Sequence, residues 1–531
     1  MKISKANQMM RNKIVTALKV CLLLLAAAHG ARAQNVERLG GGDEPAGVLG
    51  EARAAVREAV IKTQSILKVN VTYQAFSAHI PWQKDSPGAR RGLGAVLTGN
   101  RVLVTAQMVA DATYIEFEQP ESGQKLTARV RAVDYDANLA LLVAESPARQ
   151  EAFFAGLKAI PLDTSARIGD PLNVWQIGPV GDLIVSPLRV AKVETSTYFV
   201  PGSSFLVYEC NGILRTEANS FTLPVVKGGR LAGLLLRYDS KNQVTTVLPA
   251  PIIEHFLKDT DDGEYLGFPN LGVEFQTTLD EQFRDYLGMK PGDPGMYISR
   301  VMTGMSGEAA GLREGDIVTR VNGFELDSRG NYKDPQFGTL SVSHIVRGKA
   351  YVGDKLELEV VRDGKAKKLS GVLDRKKPSE MIVEPYRFDR GPNFLLAGGL
   401  LFQELSQSYL DAFGRERRSG TVLRLSRIAK NPEKFEDRGC KKIIFVSAVL
   451  PTPSAQGYER LGGQILETVN GVEIKEWKDL EEALKKPENG FHTLHFAEFP
   501  RVVYIDAIAM ERDNLALLSG AFRVTTLKRI D

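Results

Sequence analysis

Cysteine, histidine and tryptophan are scarce in this 531-residue chain, with three, six and three residues respectively. Cys21 lies in the N-terminal apolar stretch, so only Cys210 and Cys440 remain, too few for a disulfide framework or a cysteine-held zinc site. A single Cys210–Cys440 bridge stays open, though nothing in their spacing supports it. Long hydrophobic runs are missing too: only Val20 to Ala28 is strongly apolar, shorter than the roughly 20 residues a membrane span needs. Neither sign of charge dominates, so no basic field points to nucleic acid and no stable membrane span or anionic surface is expected.

What is present begins with that apolar run. Lys2, Lys5, Arg11, Lys13 and Lys19 precede it and Ala31-Arg32-Ala33 follows it, which predicts a secretory signal peptide over residues 1–33, cut after Ala33. Removing it takes Lys plus Arg from 68 to 62 against 64 Asp plus Glu, a net charge of −2. Residues 34–50 contain Gly40-Gly41-Gly42 and little apolar content, the composition of a flexible linker. Helical spacing of Ala55, Val56, Ala59, Val60 and Leu67 then gives way to an alternating strand at Val69–Tyr73.

Between Gly92 and Leu248 short β-branched runs alternate with Gly, Asn, Asp and Pro. Many short strands without long helices between them predict a pair of β-barrels over residues 51–258, closed by a Pro-started helix near Leu248–Leu257. Beyond the polar stretch Lys258–Glu264, Gly315–Leu326 and Gly463–Ile474 repeat one pattern at an offset of 148 residues, each a strand, an Asn-Gly turn and a short strand. The repeat predicts two further α+β domains, 264–375 and 390–531, separated near Lys376-Lys377-Pro378.

Five groups of residues carry a resemblance. Gly92-Leu93-Gly94-Ala95-Val96-Leu97, Leu103-Val104-Thr105-Ala106 and Asp134 with Leu139-Ala140-Leu141-Leu142 resemble strands of the Deg/HtrA family of PDZ-containing serine proteases. The Asn-Gly repeats resemble PDZ domains, and Phe499–Asp506 resembles the C-terminal end of the two-PDZ, plant-like branch. The resemblance implies a mainly β fold, a trypsin-like double barrel followed by two PDZ-like domains. It also implies assembly through the protease domain, commonly as homotrimers, and a periplasmic location.

The catalytic positions depart from that family. Gln107 stands where the family carries its histidine, and Asn138 where it carries its aspartate. An amide has no usable proton affinity near neutral pH, so Gln107 can hydrogen-bond a hydroxyl without ionising it. The nucleophile motif is Glu217-Ala218-Asn219-Ser220-Phe221-Thr222-Leu223-Pro224. Matching Asn-Ser puts the nucleophile at Ser220, and matching Pro224 without a gap puts Phe221 there; both alignments lack the glycines that shape an oxyanion hole. Lys227 is near Ser220 in sequence, but Gly228-Gly229 beside it reads as a hairpin turn and the lysine as solvated. His79, His255, His344, His492 and His495 read as surface or packing residues.

Peptide capture is the better-supported chemistry. In the first PDZ-like domain Leu271, Gly272 and Val273 are the expected peptide contacts, in a loop-plus-strand resembling those that add a ligand as an extra strand. In the second, Leu396–Phe402 could be the equivalent, unless Tyr409 and its neighbours cover it. Gly92-Leu93-Gly94 lacks the strand-loop-helix setting of a phosphate loop, and no Asp/Glu/His cluster has metal-ligand spacing, so no metal and no cofactor are expected. The expected partners are peptides or unfolded proteins, held by a non-catalytic Deg/HtrA-type protein in protein quality control. The alternatives are a serine endopeptidase using Ser220 with a non-standard base, and a non-catalytic subunit of mixed oligomers with active paralogues.

Overall fold

The computed structural model describes residues 63–178, 182–214, 222–261, 263–414 and 420–530. The expected signal peptide and linker, and the positions Ser220 and Phe221, lie outside the described residues. The first barrel is built from β1 (Ile66–Tyr73), β2 (Gly88–Leu97), β3 (Arg101–Val104), β4 (Ala112–Glu118), β5 (Lys125–Asp134) and β6 (Leu139–Ala144). It closes in the order β1-β2-β3-β6-β5-β4, with β4 returning to β1. Ile66 and Leu67, whose spacing reads as the end of a helix, already belong to β1, where pairing with Ala95 and Gly94 overrides that local pattern.

The apolar run Leu139–Leu142 is continuous because both of its faces are buried. Ala140 and Leu142 point into the first barrel with Val102, Val104 and Phe117. Leu139 and Leu141 point outward, with Leu103, to a core shared with the second barrel. That barrel consists of β7 (Pro171–Ile177), β8 (Leu183–Thr197), β9 (Ser204–Asn211), β10 (Pro224–Lys227), β11 (Arg230–Asp239) and β12 (Val244–Pro249), closed by β7 on β10.

The exit helix Ala250–Asp261 leads into a sheet ordered β13 (Val273–Gln276), β14 (Met296–Val301), β15 (Ile317–Val321), β19 (Lys355–Arg362) and β20 (Lys365–Val372), with β16 (Phe324–Glu325) hairpinned onto β15. The hairpin β17 (Asn331–Asp334) and β18 (Gly338–Ser341) is inserted before β19. The last domain has two sheets. One runs β23 (Ile444–Val449), β22 (Leu400–Glu404), β21 (Phe394–Ala397), β28 (Lys528–Arg529); the other runs β25 (Val472–Glu473), β24 (Leu466–Val469), β26 (Phe491–Phe496), β27 (Val502–Asp506). Both Asn-Gly turns form as expected, with Asn322 and Gly323 at φ 46° and 81° and Asn470 and Gly471 at 50° and 77°. The mainly β double barrel followed by two α+β domains is therefore the fold observed.

These units do not hang from linkers. One apolar cluster runs from the second barrel into the third unit, joining Phe205, Tyr208 and Ile253 to Phe268, Phe337 and Ile345. Within it His255 is sandwiched between Phe268, 4.3 Å away, and Tyr351, 3.9 Å away. His344 lies in the helical turn ahead of Ile345–Lys349, its ring 6.3 Å from Phe337. Both imidazoles are buried and each has one ring nitrogen without a hydrogen-bond partner. Burial pushes both pKa values down to about 4, against the weaker opposite pull of Asp354 on His255 and Asp334 on His344.

An unfolded chain binds these two protons from about pH 6.5 downward. Between about pH 6.5 and 4 it therefore holds more protons than the folded chain, and stability falls as pH falls. We expect the thermal midpoint to drop across that window, measured by differential scanning calorimetry. His255→Phe, which keeps the stack and cannot titrate, should flatten the profile; an unchanged profile would show that the buried imidazole is not what acid acts on.

Candidate functional site

Gln107 and Asn138, the positions that the resemblance places at two members of the triad, meet through the backbone. Gln107 lies in the short helix α1 (Ala106–Val109), which follows β3, and Asn138 ends the turn between β5 and β6. Asn138 is 1% exposed, takes the left-handed conformation at φ 52°, and its Oδ1 accepts the backbone N–H of Gln107 at 2.9 Å. Asparagine tolerates that conformation better than most residues. Asp134 shapes the same turn, its Oδ1 accepting the N–H of Ala137 at 2.7 Å. The pair positions α1 and presents two amides, neither of which can accept a proton at neutral pH.

After Ser220 and Phe221, which lie outside the described residues, the described chain resumes at Thr222, which is fully buried at φ 57°. Its Oγ1 accepts the N–H of Thr105, the residue before α1, at 2.8 Å, and its own N–H bonds the carbonyl of Leu235. Its methyl group fills the space above Gly92, where any Cβ would lie 2.4 Å from Thr222 Cγ2. Thr222 thus pins the end of the nucleophile loop to the first barrel, and Gly92 is the glycine that leaves room for it. Sequence reading singled out Gly92 only as part of a strand pattern, and no local signal links it to a residue 130 positions away.

Other proton acceptors are engaged elsewhere. Lys227 sits at the Gly228-Gly229 hairpin as expected, but its ammonium is paired with Asp170 at 2.6 Å rather than simply solvated. His79 does not precede the first barrel; it lies in the β1–β2 connection, against Phe413 and the carbonyl of Tyr409, because that connection docks on the last domain. Among the described residues no histidine is bonded to Gln107 or Asn138, and no group of three or more His, Cys, Asp or Glu could hold a metal ion.

The turn carrying Asn138 is clamped by the third unit. Arg375, just after β20, contacts Asp134 Oδ2 at 2.9 Å and Asp136 Oδ2 at 3.1 Å. Tyr265 donates to Asp134 Oδ2 at 2.6 Å, and Ser203 donates to Asp136 Oδ1 at 2.7 Å. Beside it, Phe388 packs between Tyr135 and Phe199, at 4.5 and 5.2 Å between ring centres, and Asp389 and Asp111 each donate a backbone N–H to the other's Oδ1. These residues belong to a stretch that sequence reading left as a plain connection between domains.

The segment expected to contact peptide is a tight loop ahead of β13. Gly272 has φ 70°, its carbonyl accepts from Met302 just after β14, and a Cβ there would lie 2.3 Å from Met305. Its N–H bonds Asn270 Oδ1 at 3.1 Å, and Leu271 is buried with its carbonyl accepting from Gly307. Because Gly272 faces β14, strand alternation turns the backbone of Val273 to the other edge of β13, which no described strand pairs.

If Thr222 holds the loop as described, Gly92→Ala should destabilise the chain by about 1–3 kcal/mol through overpacking. Adding Thr222→Ser, which deletes the methyl and keeps the hydroxyl, should recover most of that loss in urea unfolding. Additive losses would mean the two side chains do not share the space.

A PDZ domain model matches residues 270–336 and a second PDZ domain model matches residues 383–524. The chain is similar to Protease Do-like 4, mitochondrial, of Arabidopsis thaliana, at 25% identity over 426 residues, covering 79% of this chain and 76% of the relative. It is similar to Protease Do-like 2, chloroplastic, of the same plant at 24% identity over 460 residues, covering 86% and 72%. Among solved structures, the HtrA-type protease AlgW with decapeptide aligns at a TM-score of 0.46 and 15% identity, covering 60% of this chain and 98% of that one. With two PDZ domains and relatives of this kind across most of its length, the chain is a homologue of the Deg/HtrA-type proteases, related to the plant Deg proteins.

Proposed function

We propose that this Deg/HtrA-type homologue is an exported pseudoprotease that holds extended peptide or unfolded-protein segments in an extracytoplasmic quality-control role. The observation that carries this reading is the pairing of Gln107 with Asn138, two uncharged amides bonded through Oδ1 and N–H where serine acyl transfer needs a base and a carboxylate. Serine attack requires a group that takes the hydroxyl proton, and the described neighbourhood supplies none. The unpaired edge of β13, beside the loop of Leu271 and Gly272, supports the binding half of the reading. Backbone pairing at such an edge provides affinity and alternate side-chain pockets provide specificity. The signal-like N-terminus supports export.

A second reading, a serine endopeptidase acting through Ser220, is favoured by the relatives, whose names describe proteases. The two readings separate in one assay. Purified mature protein is incubated with unfolded casein and a fluorophosphonate probe, beside a Ser220→Ala control. We expect neither cleavage nor labelling above the control, while casein binding is retained; time-dependent labelling that vanishes in Ser220→Ala would establish the endopeptidase instead. Gly272→Trp, which drives a large side chain into Met305, should lower peptide affinity at least about tenfold, since losing even 1.4 kcal/mol does so.

A further inference from the structure

The two PDZ domains superimpose in their bonding pattern, and that makes their ligand edges comparable. In the first, Ile298 N–H bonds the carbonyl of Asp316 and Gly315 N–H bonds that of Ile298. In the second, Val446 N–H bonds the carbonyl of Gln464 and Gly463 N–H bonds that of Val446, each 148 positions later. Met302 N–H reaches the carbonyl of Gly272, and Leu450 N–H reaches that of Gly399. Gly399 is therefore the counterpart of Gly272, and β22 the counterpart of β13.

The two edges differ in what lies beside them. Ahead of Gly272 the chain turns away, with Asn270 N–H bonded to the carbonyl of Asp374. Ahead of Gly399 it doubles back, and β21 pairs with β22 from Phe394↔Gln403 to Ala397↔Leu400. The cause is one residue: the tight return needs consecutive left-handed positions, supplied by Gly398 and Gly399 at φ 59° and 99°. The first domain has Leu271 in place of Gly398 and cannot make that turn without strain.

We propose that the second PDZ domain is closed by its own strand β21, leaving β13, and not its counterpart β22, as the edge that accepts a peptide by strand addition. This rests on the peptide-capture reading of β13 given above. The closure is complete at the loop as well as the edge. Gly398 N–H is taken by Asn514 Oδ1 at 2.8 Å, from the helix Ala507–Leu518, where a ligand oxygen would otherwise sit. The outer side of β21 is taken in turn by β28, with Leu396 N–H on the carbonyl of Leu527. The other long edge in the first domain, β20, carries Lys365, Lys367 and Lys368, charges that discourage strand pairing.

The closed domain acts as a clamp on the first barrel. The β1–β2 connection inserts Trp82 against Phe394, Leu396 and Leu401. Trp82 Nε1 donates to the carbonyl of Phe522, and Gln403 Nε2 donates to that of Ala78. Strand β21 thus lies between the ligand edge it fills and the tryptophan it holds.

Decapeptides retained by immobilised full-length chain from a random library serve as the probe, read by titration calorimetry and hydrogen exchange. Expected are one peptide per chain, slowed exchange over residues 271–276 on binding with no change over residues 394–404, and loss of binding in Gly272→Trp. Two peptides per chain, slowing over 394–404, or exchange in the free chain as fast at Leu395–Phe402 as at Val273–Gln276 would overturn the proposal. If no decapeptide is retained, peptide capture fails as a function, whereas slow exchange at Leu395–Phe402 in that same chain still supports closure of the second domain.

Discussion

A single guanidinium, that of Arg375, decides how the barrels and the first PDZ domain can be arranged. It is the cation in contact with Asp134 and Asp136, both on the turn that ends in Asn138. Burial alone would lower its pKa, and Asp134, Tyr265 and Asp136 more than reverse that, holding the group charged. Taking Arg375 away would strand two carboxylates in a low-dielectric site, a loss that elsewhere runs to several kcal/mol. The exit of the first PDZ domain and the triad turn are therefore one mechanical piece. The same strand end holds the peptide loop, since Asp374 accepts from Asn270 and its N–H bonds Ser306. From the peptide loop to Asn138 there is an unbroken run of hydrogen bonds and ion pairs.

That arrangement joins the barrels and the two PDZ domains through shared cores. The first PDZ domain rests on the second barrel through a continuous apolar core, and the second PDZ domain grips the first barrel through Trp82. The connection between them lays Phe388 across Tyr135 and Phe199. Relative movement of the units would expose this surface at a cost proportional to its apolar area. Units joined in this way, with the edge of β13 open, are suited to presenting a captured segment in a fixed orientation.

Much of this was legible where the controlling physics is local. The Asn-Gly turns follow from backbone sterics, and the unbroken run Leu139–Leu142 announces a strand buried on both faces. The amides at 107 and 138 are readable because side-chain chemistry does not depend on fold. Where long-range partners decide, the sequence is silent. Leu396–Phe402 fits either a ligand loop or a tight hairpin; Gly398 and Gly399 permit the second, and β28 and Trp82 hold it in place. It is β21 that covers the edge of β22; Tyr409 packs instead on Phe445 and Phe413. Arg375 sits in the run Asp374-Arg375-Lys376-Lys377, which reads as a solvated linker until the fold brings Asp134 to it.

The amides at 107 and 138 are themselves physically linked. Position 138 is 1% exposed and must accept the N–H of residue 107 to hold α1 in place. A carboxylate there is tolerable while an imidazole beside it can share its charge. Once residue 107 is glutamine, the same carboxylate becomes a buried anion without a cation among its recorded partners, since Arg375 is committed to Asp134 and Asp136. Asparagine keeps the accepting oxygen, the turn conformation at φ 52° and the position of α1 while removing the charge. Asparagine at 138 is thus the residue that suits a buried turn with glutamine at 107.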